Sequence, residues 1–282
     1  MSSPLVSAAW LKDHLDEVVV FDASSHLPTA GRNPHQEFAV AHIPDAQRFD
    51  IDRISDPDSK LPHTVPSPAD FAVHVRALGL KNEDHIVMYD DSDVKSAARG
   101  WWMMRLFGHE KVSILDGGLN AWKAVGGDLE AGPPRDRPAG DFGARPATGA
   151  AVVDMATLQA ELTSGTGGQI LDARAAARFA GDAPEPRKGL RAGHIPGSRN
   201  LPFNQLLNED GTYRDAEAMH DLFTGAGITL DAPVTTSCGS GVTACVLAVG
   251  LHILGNRAVS VYDGSWTEWG ASDAPVKTGP AD

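Results

Sequence analysis

The feature that most constrains this chain is that its two halves repeat one another. Ala41-His42-Ile43-Pro44-Asp45-Ala46 returns as Gly193-His194-Ile195-Pro196-Gly197-Ser198. Asp116-Gly117-Gly118-Leu119-Asn120-Ala121-Trp122 returns as Asp263-Gly264-Ser265-Trp266-Thr267-Glu268-Trp269. His194 follows His42 by 152 positions, Asp263 follows Asp116 by 147, and Gly255 follows Gly108 by 147. Self-similarity at so constant a spacing marks one duplicated unit with small insertions, and 282 residues leave room for two modest domains. The predicted halves are 1–130 and 150–282, joined by a linker at 131–149. There Pro133, Pro134, Pro138 and Pro146, together with several glycines, exclude a continuous helix or strand.

Within each half, short runs rich in β-branched residues alternate with helix-like segments. Residues 18–22, 86–89 and 112–115 read as buried strands, and 170–172, 234–236 and 259–262 are their counterparts. Between the last two, Val242 to Leu254 is long and apolar enough for a helix packed on a sheet. Strand, helix, strand in repetition predicts an α/β fold: two tandem domains, each a parallel sheet with helices on both faces.

Composition narrows the function. A formal net charge of −13 argues against a nucleic-acid partner or an anionic membrane surface, since both require clustered cations. The first 17 residues carry Lys12, Asp13, His14, Asp16 and Glu17 where a signal peptide has its apolar stretch, and no run is long enough to span a bilayer. Two cysteines, Cys238 and Cys245, exclude a disulfide scaffold and a thiolate zinc site, and fit a reducing, cytoplasmic compartment.

Cys238 carries the chemistry. It follows the strand end Thr235-Thr236-Ser237 and opens Cys238-Gly239-Ser240-Gly241-Val242-Thr243, after which the predicted helix runs on from Ala244. Gly239 and Gly241 are expected to take positive φ, so that successive amide N–H groups turn inward around the sulfur. The helix N-terminus adds its positive end. Both favour negative charge on the sulfur, as a thiolate or as a persulfide. An inert buried thiol is the alternative, and for Cys245, within the helix, it is the better reading. Counting back 147 positions from Cys238 gives Asp91, a carboxylate that cannot act as a sulfur nucleophile, so the first half is expected to be catalytically silent.

With these residues in place, the chain resembles the two-domain rhodanese-type sulfurtransferases over nearly its whole length. The resemblance rests on the His194-Ile195-Pro196-Gly197 run, the paired Asp-Gly motifs at 116 and 263, Trp101-Trp102 and the cysteine loop. Within that family the loop is similar to that of the 3-mercaptopyruvate-using branch. Thiosulfate-using members resemble Cys-Arg-Lys-Gly-Val-Thr here, with two cations for a dianion. Gly239 and Ser240 are neutral, so a doubly charged donor lacks its partners. A cysteine-dependent phosphatase would need an arginine where Ala244 stands. In the first half Asp45 replaces the usual glycine of the turn motif.

The resemblance also implies roles outside the loop. Arg178 and Arg187, in Arg178-Phe179 and Pro184-Glu185-Pro186-Arg187, match the arginines that bind the donor's carboxylate and carbonyl. On residue type alone they are equally well solvated surface charges. Arg174 reads as structural. Phe49-Asp50-Ile51-Asp52 and Leu61-Pro62-His63 match the stretch supplying a carboxylate and a histidine, so Asp52, His63 and Ser240 are expected to form a proton relay. Read alone, Asp52 is a loop cap and His63 a surface histidine. His42 and His194, being duplicated, are expected to fix the same turn twice.

The expected activity is thus transfer of sulfur from 3-mercaptopyruvate, through a Cys238 persulfide, to a thiol such as thioredoxin or a small thiol, or to cyanide, releasing pyruvate. Cys238, Ser240, His63 and Asp52 are the expected catalytic residues; Arg178, Arg187, Gly239, Gly241, Val242 and Thr243 are expected to bind substrate. The reaction needs no metal or organic cofactor, and a duplicated chain is expected to be a monomer. Two other readings stay open: a thiosulfate sulfurtransferase, and a non-enzymatic sulfane-sulfur carrier or redox sensor.

Overall fold

Runs of apolar, β-branched residues build two parallel five-stranded sheets in the computed structural model of the chain, which describes residues 3–147, 150–165 and 167–281. The last two residues of the predicted linker, 148 and 149, lie outside the described residues, as do the extreme ends of the predicted halves. The chain divides into two compact units. The first comprises Met1–Pro57, Val65–Thr148 and Asn208–Tyr213; the second comprises Asp58–Thr64, Gly149–Leu207 and Arg214–Asp282.

In the first unit the strands are β1 (Leu5–Val6), β2 (Val19–Asp22), β3 (Gln47–Arg48), β4 (Ile86–Tyr89) and β5 (Val112–Leu115), in the order β1-β5-β4-β2-β3. In the second they are β6 (Ala151–Val153), β7 (Gln169–Asp172), β8 (Arg199–Asn200), β9 (Val234–Ser237) and β10 (Val259–Tyr262), in the order β6-β10-β9-β7-β8. Every pairing is parallel. The two orders are the same permutation, as duplication requires. The central strands β2, β4 and β9 are buried at every position, because helices cover both faces of a parallel sheet. The edge strands are two or three residues long and carry no periodic signal.

The duplicated histidines do the same work in each unit. His42 Nδ1 lies 2.8 Å from the Phe38 carbonyl and the ring stacks on Phe38; His194 Nδ1 lies 2.9 Å from the Phe179 carbonyl and stacks on Phe179. Each backbone then bridges to a later segment, His42 to Glu130 and His194 to Lys277. The ring thus fixes the turn that feeds the next edge strand. Residues 131–147 run along the first unit as a strap, with Gly140 donating to the Arg76 carbonyl, Arg145 to that of Phe107, and Phe142 buried edge-on against Phe71.

The strand register corrects the sequence alignment by one residue. Asp172 pairs with Ser237 in the second unit and Asp22 with Tyr89 in the first. The residue after the central strand is therefore Cys238 in one unit and Asp90 in the other, not Asp91. A backbone bond confirms the match: Trp266 N–H donates to the Cys238 carbonyl, and Leu119 N–H, its counterpart in the duplicated Asp-Gly motif, donates to the Asp90 carbonyl. Single-residue length differences in the strand-to-helix loops account for the slip.

Candidate active site

Cys238 sits at the C-terminal end of β9, the central position of the second sheet, where loops of a parallel α/β fold carry function. The loop 238–243 leads into the helix Ala244–Ile253. Cys238 is a free, buried thiol and Ser240 is buried beside it. Thr243 occupies the helix cap in a helical conformation and makes no side-chain capping bond. Val242 is buried.

The loop glycines do different jobs. Gly241 has φ +76° and makes the expected left-handed turn. Gly239 does not take positive φ, contrary to expectation. Its missing Cβ gives room to arginine: a Cβ there would lie 3.3 Å from Arg178 Nη2 and 4.0 Å from Arg187 Nη1. The two predicted donor-binding arginines therefore converge on the residue next to the nucleophile. Arg178 projects from the short helix Ala176–Ala180, and Arg187 from the loop that follows it.

The amide cradle also differs from expectation. Cys238 N–H and Gly241 N–H both donate to Ser265 Oγ, at 3.1 and 3.2 Å, while Ser265 Oγ–H donates to the Tyr262 carbonyl at 2.7 Å. Two of the loop's N–H groups thus serve the loop's own shape. Those of Gly239, Ser240, Val242 and Thr243 have no protein acceptor among the described residues and are the ones available to an anion. The loop carbonyls are tied back by the helix Ser265–Trp269: Trp266 N–H bonds to the Cys238 oxygen, and Thr267 N–H and Oγ1–H both bond to the Gly239 oxygen. Pinning the carbonyls on one side leaves amide dipoles, not carbonyl dipoles, to meet negative charge on the other.

His63 belongs to the second unit through the segment Asp58–Thr64, and its Nδ1 lies 3.0 Å from Ser240 Oγ. It holds φ +62°, a left-handed value that a non-glycine residue rarely adopts. This pairing joins residues 177 positions apart. Asp52 lies in the first unit, on the first turn of the helix Ile51–Ile54, with its own N–H bonded to Asp50 Oδ1.

Three neighbours of the site carry little sequence signal. The side chain of Glu185 is buried and accepts from both Arg174 and Arg178. Ser265 and Thr267 hold the loop. For Ser265 a signal was present: the first copy of its motif has Gly118 there, and a residue that replaces glycine in a left-handed turn needs a reason. Arg174 is structural, as expected. Its guanidinium is fully buried, forks onto Asp172, bonds to the Gly193 carbonyl and lies 4.3 Å over the Trp266 ring. Burial alone would weaken its charge, but Asp172 and Glu185 outweigh that and hold its pKa above the ordinary arginine value.

The fold and the loop define a class: a tandem α/β protein with a buried cysteine at the end of one central strand. The Rhodanese-like domain model matches the chain twice, at residues 7–125 and 155–272, and the chain belongs to the rhodanese family. It is 44% identical to 3-mercaptopyruvate sulfurtransferase of Escherichia coli strain K12, over 96% of this chain and 97% of the relative. It is likewise 44% identical to the mitochondrial thiosulfate/3-mercaptopyruvate sulfurtransferase 1 of Arabidopsis thaliana, over 98% of this chain and 79% of the relative. The crystal structure of SseA, a 3-mercaptopyruvate sulfurtransferase from Escherichia coli, superposes with a TM-score of 0.84 at 41% identity, covering 94% of this chain and 99% of that one.

Proposed function

We propose that this chain is a 3-mercaptopyruvate sulfurtransferase working through a Cys238 persulfide. The observation that carries the reading is the convergence of Arg178 and Arg187 on Gly239, next to a buried thiol in a loop with uncommitted amides. Arg178 and Arg187 grip the donor's carboxylate and carbonyl, which places its thiol sulfur at Cys238. The Cys238 thiolate attacks that sulfur and forms the S–S bond. The C–S bond breaks with its electron pair passing to carbon, giving the enolate of pyruvate. The thiol proton of the donor is conveyed to that carbon, so pyruvate leaves and a persulfide anion remains.

The N–H groups of Gly239, Ser240, Val242 and Thr243 stabilise this anion. Ser240 and His63 move the proton. In the second half-reaction a thiol such as thioredoxin or a small thiol, or cyanide, attacks the outer sulfur and regenerates the Cys238 thiolate. The neutral Gly239 and Ser240 favour a monoanionic donor over thiosulfate. No helix among the described residues is long and apolar enough to cross a membrane; a chain with only two cysteines and no disulfide between them favours a reducing, cytoplasmic setting, and the chain acts as a monomer.

Steady-state turnover with the two donors side by side tests the reading. Mercaptopyruvate is expected to give the higher kcat/KM, Cys238 to gain the mass of one sulfur atom, and Cys238→Ser to lose at least ~10³-fold in turnover. Thiosulfate as the better donor would overturn the choice of substrate. If neither donor turned over while Cys238 still acquired sulfur from a partner protein, the chain would be a carrier.

A further inference from the structure

Glu185 lies outside the cysteine loop, carries no role in the reaction above, and its side chain is only 3% exposed. Its carboxylate is shared. Oε1 accepts from Arg174 Nη1 at 2.8 Å and from Arg178 Nε at 3.2 Å, and Oε2 accepts from Arg178 Nη2 at 2.5 Å. A guanidinium has five N–H donors in a rigid fork. Glu185 takes one edge of Arg178, the edge made by Nε and one hydrogen of Nη2. The other edge, made by Nη1 and the second hydrogen of Nη2, has no protein acceptor among the described residues. Nη2 is also the atom nearest the position of a Gly239 Cβ. A carboxylate on one edge thus fixes the direction in which the free edge can grip a second carboxylate.

Glu185 is itself anchored. Arg174 holds it from below, and Arg174 is fixed by a fork onto Asp172, by the Gly193 carbonyl and by the face of Trp266. Asp172 ends β7 and pairs directly with Ser237, the residue before Cys238. Trp266 in turn bonds the Cys238 carbonyl through its backbone. The chain of contacts Asp172–Arg174–Glu185–Arg178 therefore starts and finishes beside the nucleophile. Its charges cancel pairwise.

We propose that Glu185 is the positioning residue that aims Arg178: it sets the free guanidinium edge toward the donor's carboxylate at a fixed place relative to Cys238. The proposal rests on the reading of Arg178 as a donor-binding residue. Its consequence is specific to one half-reaction. Sulfur delivered as inorganic polysulfide has no carboxylate to grip, so it loads Cys238 without help from this arm.

The test measures the rate of Cys238 persulfide formation from mercaptopyruvate and from inorganic polysulfide in wild type, Glu185→Gln, Arg178→Ala and the double variant. Glu185→Gln should slow loading from mercaptopyruvate about 30-fold, mainly through KM, since an angstrom of misplacement is worth up to ~100-fold. Loading from polysulfide should be unchanged, and the double variant should be no slower than Arg178→Ala alone. Equal losses with both donors, or fully additive losses, would overturn the inference. So would normal loading of Glu185→Gln by mercaptopyruvate. Should the glutamine variant fail to fold, Glu185→Asp carries the same test, being one methylene short of Arg178. If wild type itself is not loaded by mercaptopyruvate, the proposed function has failed; if only the variant result departs, the inference alone has.

Discussion

Ser265 holds φ +48°, a left-handed value that costs a non-glycine residue about 1–2 kcal/mol. Its hydroxyl returns three hydrogen bonds, two of them to the nucleophile's loop, so strain is kept where it shapes the site. The first unit resolves the same position with Gly118, at φ +60° and with no hydroxyl. Asp90, the residue matching Cys238, illustrates the other cost of that position. Its carboxyl is buried, accepting from Ala97 N–H at 2.7 Å and Ser92 N–H at 3.3 Å. Burial pushes its pKa above the ordinary 3.8, against the pull of Lys95 and of these bonds. The folded state therefore binds the proton more tightly than the unfolded chain. Stability contributed at acid pH is lost as pH rises from the unfolded value of about 4 toward the folded one. Asp90→Asn removes that loss, so its unfolding midpoint relative to wild type should climb as pH is raised from about 4 to 7. A difference that stays flat or falls across that range would mean that the carboxylate ionises there without penalty.

At the scale of the element, the strand–loop–helix segment 234–253 explains why a thiol can be presented at a fixed place. Thr235, Thr236 and Ser237 are polar yet buried, and Thr236 Oγ1 bonds to the Ser260 carbonyl across the sheet. The helix Ala244–Ile253 is buried from Ala244 through Leu251. It packs close enough that a Cβ on Gly250 would lie 2.6 Å from Leu206 Cδ2 and 3.1 Å from Phe223. Gly250→Val should therefore destabilise the protein by about 2–3 kcal/mol through overpacking, read as a lower denaturation midpoint at unchanged m-value; a rise in the midpoint would show that the helix can step away. The long elements were legible beforehand because an apolar β-branched run bounded by turn residues has few other fates. The two-residue edge strands were not, because pairing with a neighbour, not local pattern, makes them strands. The loop was legible in position but not in detail. Gly239 was expected to bend the chain, and its actual use, room for Arg178, depends on a side chain 61 positions earlier.

For the molecule as a whole, duplication supplied one scaffold twice and one nucleophile. The strand-end carboxylates Asp22 and Asp172 each accept the N–H of the residue two positions on, but that residue is Ser24 in the first unit and Arg174 in the second. The first unit thus lacks the cysteine, the loop-binding hydroxyl and a counterpart of Arg174, and its own Glu-held arginine, Arg32, spends Nη2 on Glu37 and Asp91. Asp90→Cys in a Cys238→Ser background should accordingly show no turnover with mercaptopyruvate, and no gain of sulfur at the new thiol by mass spectrometry. Activity from that variant would mean that the scaffold and its amides suffice, and that the arginine arm is dispensable.

Sequence by itself determined the duplication and the α/β class, and it singled out Cys238 and its loop. Each is written in local composition or in the comparison of one half with the other. Tertiary structure alone decided that Asp90 and not Asp91 answers to Cys238, since register is a property of paired strands. It also decided that His63 meets Ser240, that Ser265 holds the cysteine loop and that Glu185 binds Arg178. Those contacts join residues far apart in the chain or ask where a side chain returns after a turn. No periodicity records such a return; the packing of buried charges onto their partners does.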